Sequence, residues 1–470
     1  MPLRGCDVPG CSKPVPRRHG GCLICSKSFC PAHTRSPSHT CPSKESNPDL
    51  YHQRHAAIQQ QHLRTLLHNI NTAALLSLAS GLRNGLSCTV PALDQGPAAA
   101  AAIPATAELS DTECHLDLVF QDGVVWDLRV LINNGALLPP PVQRYIFLSE
   151  VFTLKFLERT AVPAPRVYHH AWQDWPENTV GVSFALMEKI KGRRLHWETL
   201  SKPARSKIME QLADIAIELE QYPFDMTGSI MPSDDPDVIV GGFAQVPLLR
   251  DALRPIGPFS SLHASLRAIM YLQLDIITDG EFMSLAVPHF LSYLWRLQTI
   301  PDLIAATNSK EGGPFYLQHA SETANHIMVD DDGNITALVD WACASVQSKE
   351  YAFSSPPMLW PREVFLRGDN TLSAEELEYA EAFRHRGRAD MADLVIHGRK
   401  LQRFLFALGG SWTNDQAEFE ALFQGLRQAF VAEGDEAAAA AAAEPYASWS
   451  ERAIAQDSVE YPQLHRLFSD

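Results

Sequence analysis

Eight residues with zinc-ligand side chains fall within the first forty-one positions: Cys6, Cys11, Cys22, Cys25, Cys30, His33, His39 and Cys41. Their spacing is C-x4-C-x10-C-x2-C-x4-C-x2-H-x5-H-x-C, and six of the nine cysteines are used in it. Thiolate sulfur and neutral imidazole are the ligands of tetrahedral zinc, and a closed structural site takes four of them. Eight ligands therefore supply two ions. A disulfide framework is the alternative. The two histidines that complete the pattern count against it, as does the lack of an apolar signal-peptide stretch in Met1–Gly20. Val8, Leu23, Ile24 and Phe29 are too few for an apolar core. Metal binding must then supply most of the folding free energy, on the order of 10 kcal/mol or more.

The ligand string resembles the AN1-type zinc finger, including the run Cys6-Asp7-Val8-Pro9-Gly10-Cys11 and the segment Phe29-Cys30-x-x-His33. The resemblance implies a cross-braced order, with Cys6, Cys11, Cys30 and His33 on one ion and Cys22, Cys25, His39 and Cys41 on the other. Spacing alone equally permits sequential pairing. Thr34 stands where that family usually carries a basic residue, at a position that is not a ligand.

At 470 residues and 46% apolar content the chain is long enough for two or three globular domains. It has no run of apolar residues long enough to span a membrane and reads as soluble. Residues 1–45 carry Arg4, Lys13, Arg17, Arg18, Lys27, Arg35 and Lys44 against Asp7 and Glu45, a balance of +5, leaving −21 for the rest of a chain whose net charge is −16. Two ions on three cysteines each reduce the finger to about +3, too weak a basic surface for a dedicated nucleic-acid binder. The expected partner of the finger is a protein. Cys88, Cys114 and Cys343 are scattered thiols without pairing logic, which fits the cytoplasm or nucleus.

The elements that follow the finger begin with a polar, proline-bounded linker at residues 42–48, across which few finger contacts are expected to reach. Leu50, Ile58, Leu63, Leu66, Leu67 and Ile70 predict a helix over 49–82. Its histidines at 52, 55, 62 and 68 read as a solvated face. The alanine- and proline-rich stretch 91–110 reads as a loop. Strands 114–120 and 124–132 flank Gln121-Asp122-Gly123, a hairpin signal. Prolines 139–141 introduce a helix over 143–159, and 180–188 reads as a further strand. Helices then dominate: one capped by Ser201 with Ile208, Leu212, Ile215 and Leu219 as its stripe, and others near 374–381, 389–408 and 416–431. A hairpin pairs 326–329 with 335–340. The polyalanine run 437–443 is a surface loop or a short exposed helix. Strands first and helices later predict an α+β protein of two lobes. The expected domains are a finger at 1–45, linker and helix at 46–78, a β-rich small lobe at 79–190, and a helical large lobe with an inserted hairpin at 191–470.

From about Ser80 onward the chain resembles the fungal branch of the aminoglycoside phosphotransferase family, which implies a protein-kinase-like fold. Asp122–Arg129 matches the strand carrying the cation that contacts nucleotide phosphates, here Arg129 in place of lysine. Glu150 matches the helix glutamate paired with that cation. Val162–Tyr168 is a link typical of the family, and Phe184–Gly192 matches the hinge, so Met187, Glu188 and Lys189 are expected beside adenine. Leu338-Val339-Asp340-Trp341 matches the strand-end aspartate that ligates magnesium.

The catalytic loop departs from the implied H-x-D-x4-N pattern. It reads His319-Ala320-Ser321-Glu322-Thr323-Ala324-Asn325-His326, with serine at the base position and histidine at the metal position. A serine hydroxyl is no proton acceptor near neutral pH, and imidazole is a poor ligand for hard Mg2+. Glu322 and Asn325 are displaced by one residue. No glycine-rich turn precedes the first long strand, where residues 105–112 instead contain Glu108 and Asp111. Arg129 and Glu150 could equally be a structural ion pair, and Asp340 a turn-capping carboxylate. The expectation is a zinc-binding adaptor whose kinase-like domain binds a nucleotide or small molecule without turnover. The alternative is an active ATP- and Mg2+-dependent phosphotransferase in which Glu322 or Asp340 accepts the proton.

Overall fold

The computed structural model describes residues 2–17, 20–35, 37–94, 108–132, 138–233, 239–251, 254–282, 284–306, 312–319, 323–406, 408 and 413–468. Residues up to Cys41 form a small unit of turns. It contains isolated bridges Gly5–Pro14 and Gly21–Ser28 and one helical turn at Pro31–His33. Helices α1 (Pro48–Asn69) and α2 (Thr72–Leu82) follow. The expected single helix is broken at Ile70–Asn71, because the Asn71 side chain accepts from the Ala74 amide and caps a new helix. The Asn47 side chain caps α1 in the same way, accepting from Leu50 N–H.

The small lobe is an antiparallel sheet of β1 (Cys88–Thr89), β2 (Glu108–Leu109), β3 (Glu113–Phe120), β4 (Val125–Leu131), β5 (Val167–Ala171) and β6 (Phe184–Glu188). Its order is β1-β3-β4-β6-β5, with β2 on β3. Gly123 closes the β3–β4 turn at φ 84°, a left-handed conformation that glycine adopts without strain. The strand expected over 180–188 begins only at Phe184, and β5 falls where only a link was expected.

Strand alternation explains how the sheet is used. Cys114, Leu116, Leu118 and Phe120 of β3, with Trp126, Leu128 and Val130 of β4, are buried on one face with Leu63, Leu75 and Ala79 of α1 and α2. Every other residue therefore points to the opposite face, and there the sequence supplies Glu113, His115, Asp117, Asp127 and Arg129. That face looks toward α3 (Pro140–Leu157), which starts on the proline run. Phe147, Val151 and Leu154 of α3 join the core of the large lobe, so the helix locks the two lobes together.

The large lobe is built on α4 (Lys202–Glu220), α5 (Leu262–Thr278), α6 (Ala286–Ala306), α7 (Ala374–His385), α8 (Ala389–Ile396), α9 (Arg399–Leu405), α10 (Gln416–Gln428), α11 (Glu436–Ala442) and α12 (Tyr446–Glu460). The polyalanine run is thus helical, and the helix expected over 389–408 is split at His397–Gly398. The inserted hairpin Ile327–Val329 and Ile335–Leu338 pairs with Arg193–Arg194 beyond the hinge. Gly192 (φ 116°) makes that approach feasible, since a Cβ there would lie 2.4 Å from the Val329 carbonyl oxygen. The expected α+β, two-lobed, kinase-like architecture holds.

The finger is not held by its linker alone. Arg17, 8% exposed, bonds through Nε to Glu281 Oε2 at 3.0 Å and through Nη2 to Oε1 at 3.3 Å. The same guanidinium donates to the carbonyls of Val246, Leu249 and Arg250. Glu281 also accepts from the Leu3 amide at 3.1 Å, and Leu3 packs with Val142 and Leu249. The expectation of few crossing contacts is therefore corrected: a buried ion pair with its hydrogen bonds fixes the finger on the large lobe.

Candidate metal centres and candidate nucleotide cleft

Turns bring the eight finger ligands together in two sets, Cys6, Cys11, Cys30 and His33, and Cys22, Cys25, His39 and Cys41. Within each set one donor atom per residue lies within 4.8 Å of all the others. Cys11 Sγ is 3.9 Å from Cys30 Sγ, and His33 Nδ1 is 3.4 Å from both Cys6 Sγ and Cys30 Sγ. His39 Nε2 is 3.8 Å from Cys25 Sγ. Tetrahedral zinc with bonds of about 2.3 Å to sulfur and about 2.05 Å to nitrogen requires ligand separations of about 3.8 Å and about 3.5 Å. The donor sets have the chemistry and spacing to hold metal.

Local backbone explains the gathering. Val8 accepts from the Cys11 amide, and Cys22 accepts from the Ser26 amide while its own N–H reaches Lys27. These tight turns aim paired sulfurs inward. His39 donates through Nδ1 to the Thr34 carbonyl at 3.1 Å, which leaves Nε2 with its lone pair toward the second set. Phe29 lies against the same ring, centroids 4.4 Å apart.

In the cleft, the register pairs His115 with Arg129 and Arg129 with Ala185, so the guanidinium lies under the sheet opposite α3. Its Nη2 bonds to Glu150 Oε2 at 2.7 Å, although the two residues are 21 positions apart in the chain. The same nitrogen bonds to Glu113, which the sequence reading did not single out. Arg129 Nε is buried without a partner. Burial opposes ionisation of Glu113, but the Arg129 charge and the His115 contact hold it down at about 2. Burial also opposes charge on His115, yet hydrogen bonds to Asp127 and Glu113 lift it to about 9. His115 Nδ1 is 2.7 Å from Asp127. Alternation beginning at Glu113 was the available signal: Glu113, His115 and Asp117 share the face of Arg129.

The hinge residues are placed but not uniformly presented. Met187 is 6% exposed and joins the large core. The Glu188 amide donates to the Arg166 carbonyl at 2.8 Å, and Lys189 pairs with Asp117 at 3.1 Å. Across the cleft, Asp340 has a left-handed φ of 60° and a half-exposed carboxylate whose Oδ2 is 3.5 Å from His326 Nε2. It sits past the end of Ile335–Leu338 rather than in the strand. Cys343 faces Glu150 and Asp340, and burial with those charges pushes its thiol up to about 12. His319 donates to the Val339 carbonyl at 2.9 Å and packs edge-on to Trp341; burial lowers it to about 4, so it is neutral. Asn325 is exposed, and its carbonyl accepts from Arg194. Ser321 and Glu322, expected at the base position, lie outside the described residues.

Residues 147–351 match the model of the phosphotransferase enzyme family. A subtelomeric hrmA-associated cluster protein of Aspergillus fumigatus is 32% identical over 132 residues, 27% of this chain and 24% of that protein, so the match spans about a quarter of the relative. Similar solved structures include the ADP-bound aminoglycoside phosphotransferase APH(2'')-Ib, at 13% identity over 69% of this chain and 94% of that one, TM-score 0.40. Another is the macrolide 2'-phosphotransferase MphH of Brachybacterium faecium without ligand, at 18% identity over 75% and 97%, TM-score 0.35. Among the described residues, no helix is long and apolar enough to cross a membrane.

Proposed function

We propose that the chain is a two-zinc, AN1-type adaptor mounted on a kinase-like domain that is impaired as a phosphotransferase. The finger holds one zinc through Cys6, Cys11, Cys30 and His33 and one through Cys22, Cys25, His39 and Cys41, and offers its mildly basic surface to a protein. The cleft carries the second half of the reading, and the observation behind it is the double engagement of Arg129. Phosphoryl transfer needs cations free to neutralise phosphate oxygens. Here the buried guanidinium is shared by Glu150 and Glu113. On the same cleft face, the described residues Glu113, Asp117, Asp127 and Glu150 stand among Arg129, His115 and Lys189. A nucleotide phosphate approaching this surface meets excess negative charge, and loses the attraction that positions it.

Asp340 favours a second reading. Its half-exposed carboxylate, with His326 beside it and Glu150 near, has the chemistry of a cation ligand, and the family match includes it. In that reading the chain is an active small-molecule phosphotransferase with ATP and Mg2+ bound at Arg129, Glu150 and the hinge at Met187–Lys189, and Glu322 or Asp340 as base. Calorimetric titration of the full chain with ATP, with and without Mg2+, followed by a turnover assay over hydroxyl acceptors, separates the two. The impaired reading expects weak or no binding and negligible turnover. Turnover near 1 s⁻¹ or above, an ordinary enzymatic rate, sinks it.

A further inference from the structure

The large lobe holds a partly open cavity of about 40 Å3 whose lining shares no residue with the cleft. One side is a single face of α6: His289, Ser292, Tyr293 and Arg296 recur at three- and four-residue steps. The other sides come from Arg403 of α9 and from Phe419 and Phe423 of α10, with Thr413 between them. Among the residues lining the cavity are two arginines and no carboxylate.

Arg403 is fully buried and Arg296 partly so. Arg403 is 2% exposed; its Nε donates to Asn370 and its Nη2 to the Asp369 carbonyl, each at 2.7 Å, while Nη1 is buried with no partner. Phe365 covers its guanidinium, 3.6 Å from the ring centroid. Arg296 donates to the Phe404 carbonyl at 3.0 Å and to the Ser292 hydroxyl. Among the described residues neither forms an ion pair. Arg399, one turn before Arg403, shows the usual solution in this lobe: it is paired with buried Glu376 at 2.6 Å. Two acids of this region already accept hydrogen bonds, Glu418 from Thr413 and Asp369 from Thr371, and the Asp369 charge only partly offsets the burial of Arg403. His289, 7% exposed, also leaves Nε2 buried and unpartnered, between Phe282 and Phe419.

Buried cations without an opposite charge are costly, and buried donors without acceptors add to that cost. A bound anion removes both penalties. The volume sets its size. A single water needs only about 10–15 Å3 by this measure, so the cavity exceeds one water yet is far too small for a nucleotide or sugar. We propose that the large lobe binds a small oxyanion of phosphate size in this cavity. Arg403 Nη1 and the Arg296 guanidinium supply charged donors, and Ser292 Oγ–H and His289 Nε2–H supply neutral ones. The anion then ties α6 to α9 and α10. Burial lowers Arg403 to about 9 and Arg296 to about 10, an effect an anion would reverse. Burial with the Arg296 charge lowers His289 to about 3, so its ring is neutral and contributes a hydrogen bond, not a charge.

The test uses the zinc-loaded full chain and inorganic phosphate. Equilibrium dialysis with radiolabelled phosphate should give one ion per chain, and Tm should rise by mass action as phosphate is added at constant ionic strength. Arg403→Met and Arg296→Gln should each weaken binding at least tenfold. Arg403 also anchors Asn370 and Asp369, so Arg296→Gln and the wild-type stoichiometry decide the matter if Arg403→Met does not fold. The proposal is overturned by no stoichiometric phosphate, by a Tm response no larger than that to chloride, or by undiminished binding in Arg296→Gln, which would place the ion elsewhere.

Discussion

The finger and the cleft handle the same problem, holding like charges close together, in opposite ways. In the finger, donor sets are complete and need only an external cation: six sulfurs and two imidazoles stand at metal-ligand spacing with almost no apolar support. In the cleft, the protein supplies its own cations. Arg129 and His115 sit among Glu113, Glu150 and Asp127, and charge is satisfied internally before any ligand arrives. A site that is incomplete alone depends on its ligand to fold. On the proposed reading, a site already closed on itself resists a nucleotide.

The sharpest break of that comparison is metal removal. Chelation, or Cys22→Ser, should unfold residues 2–41, a loss on the order of 10 kcal/mol for the unit, while the sheet and large lobe stay folded. Hydrogen exchange reads this as loss of protection at Cys22 and Phe29, whose amides bond to Lys27 and Gly20, with protection retained at Leu128 and Leu186 in the sheet. Elemental analysis should give two zinc ions per chain, and a count of one or none defeats the two-site model.

Next in size is the seam between the regions. Glu281→Ala removes the carboxylate from buried Arg17 and from the Leu3 amide and leaves a charge uncompensated, a change that typically costs about 3–5 kcal/mol. Denaturant unfolding should show that loss, and limited proteolysis should cut the finger free although both zincs remain. Unchanged protease resistance would mean that the metal-bound unit stays docked through its apolar contacts alone.

Legibility in the sequence followed the same division. The gathering of the eight finger cysteines and histidines into two sets could be read because metal-ligand chemistry is specified by residue type and short spacing. The lobes could be read where local rules act: the Asp122-Gly123 turn, the proline run before α3 and the stripe of α4. Glu113 could not be assigned a role from the strand alone, because its importance depends on which residue the register places opposite it. The Arg17–Glu281 pair was invisible for the same reason, as 264 positions separate its members. Helix breaks at Asn71 and Gly398 were missed because the apolar period continues across them.

If Glu113 silences the cleft, relieving it should restore affinity. Glu113→Gln keeps the shape and removes one charge from Arg129, and ATP affinity measured by calorimetry should rise about tenfold, equivalent to about 1.4 kcal/mol. Glu150→Gln should not do this, since Glu150 orients Arg129 from α3. Equal responses in the two variants would show that total charge matters and the placement of Glu113 does not.

The smallest effect concerns His115, and its sign follows from the direction of its shift. Folding raises this imidazole from about 6.5 to about 9, so the folded form holds the proton more tightly. Its contribution to stability is fully present below about pH 6.5 and is lost as the pH climbs through about 9. The carboxyl of Glu113 moves the opposite way, and its contribution is present above about pH 4.5 and lost on descent toward 2. Between pH 6.5 and 9, therefore, the contribution of His115 changes while that of Glu113 does not. Denaturant midpoints for the wild-type chain should fall across that window more steeply than those of His115→Gln, which keeps a hydrogen bond to Asp127 but carries no proton to lose. His115 is partly exposed, so solvent screening makes the difference smaller than the effect of Glu113→Gln. Parallel profiles for the two proteins would mean that Arg129 alone balances the carboxylates, and that the closed charge set in the cleft has one cation fewer than its geometry supplies.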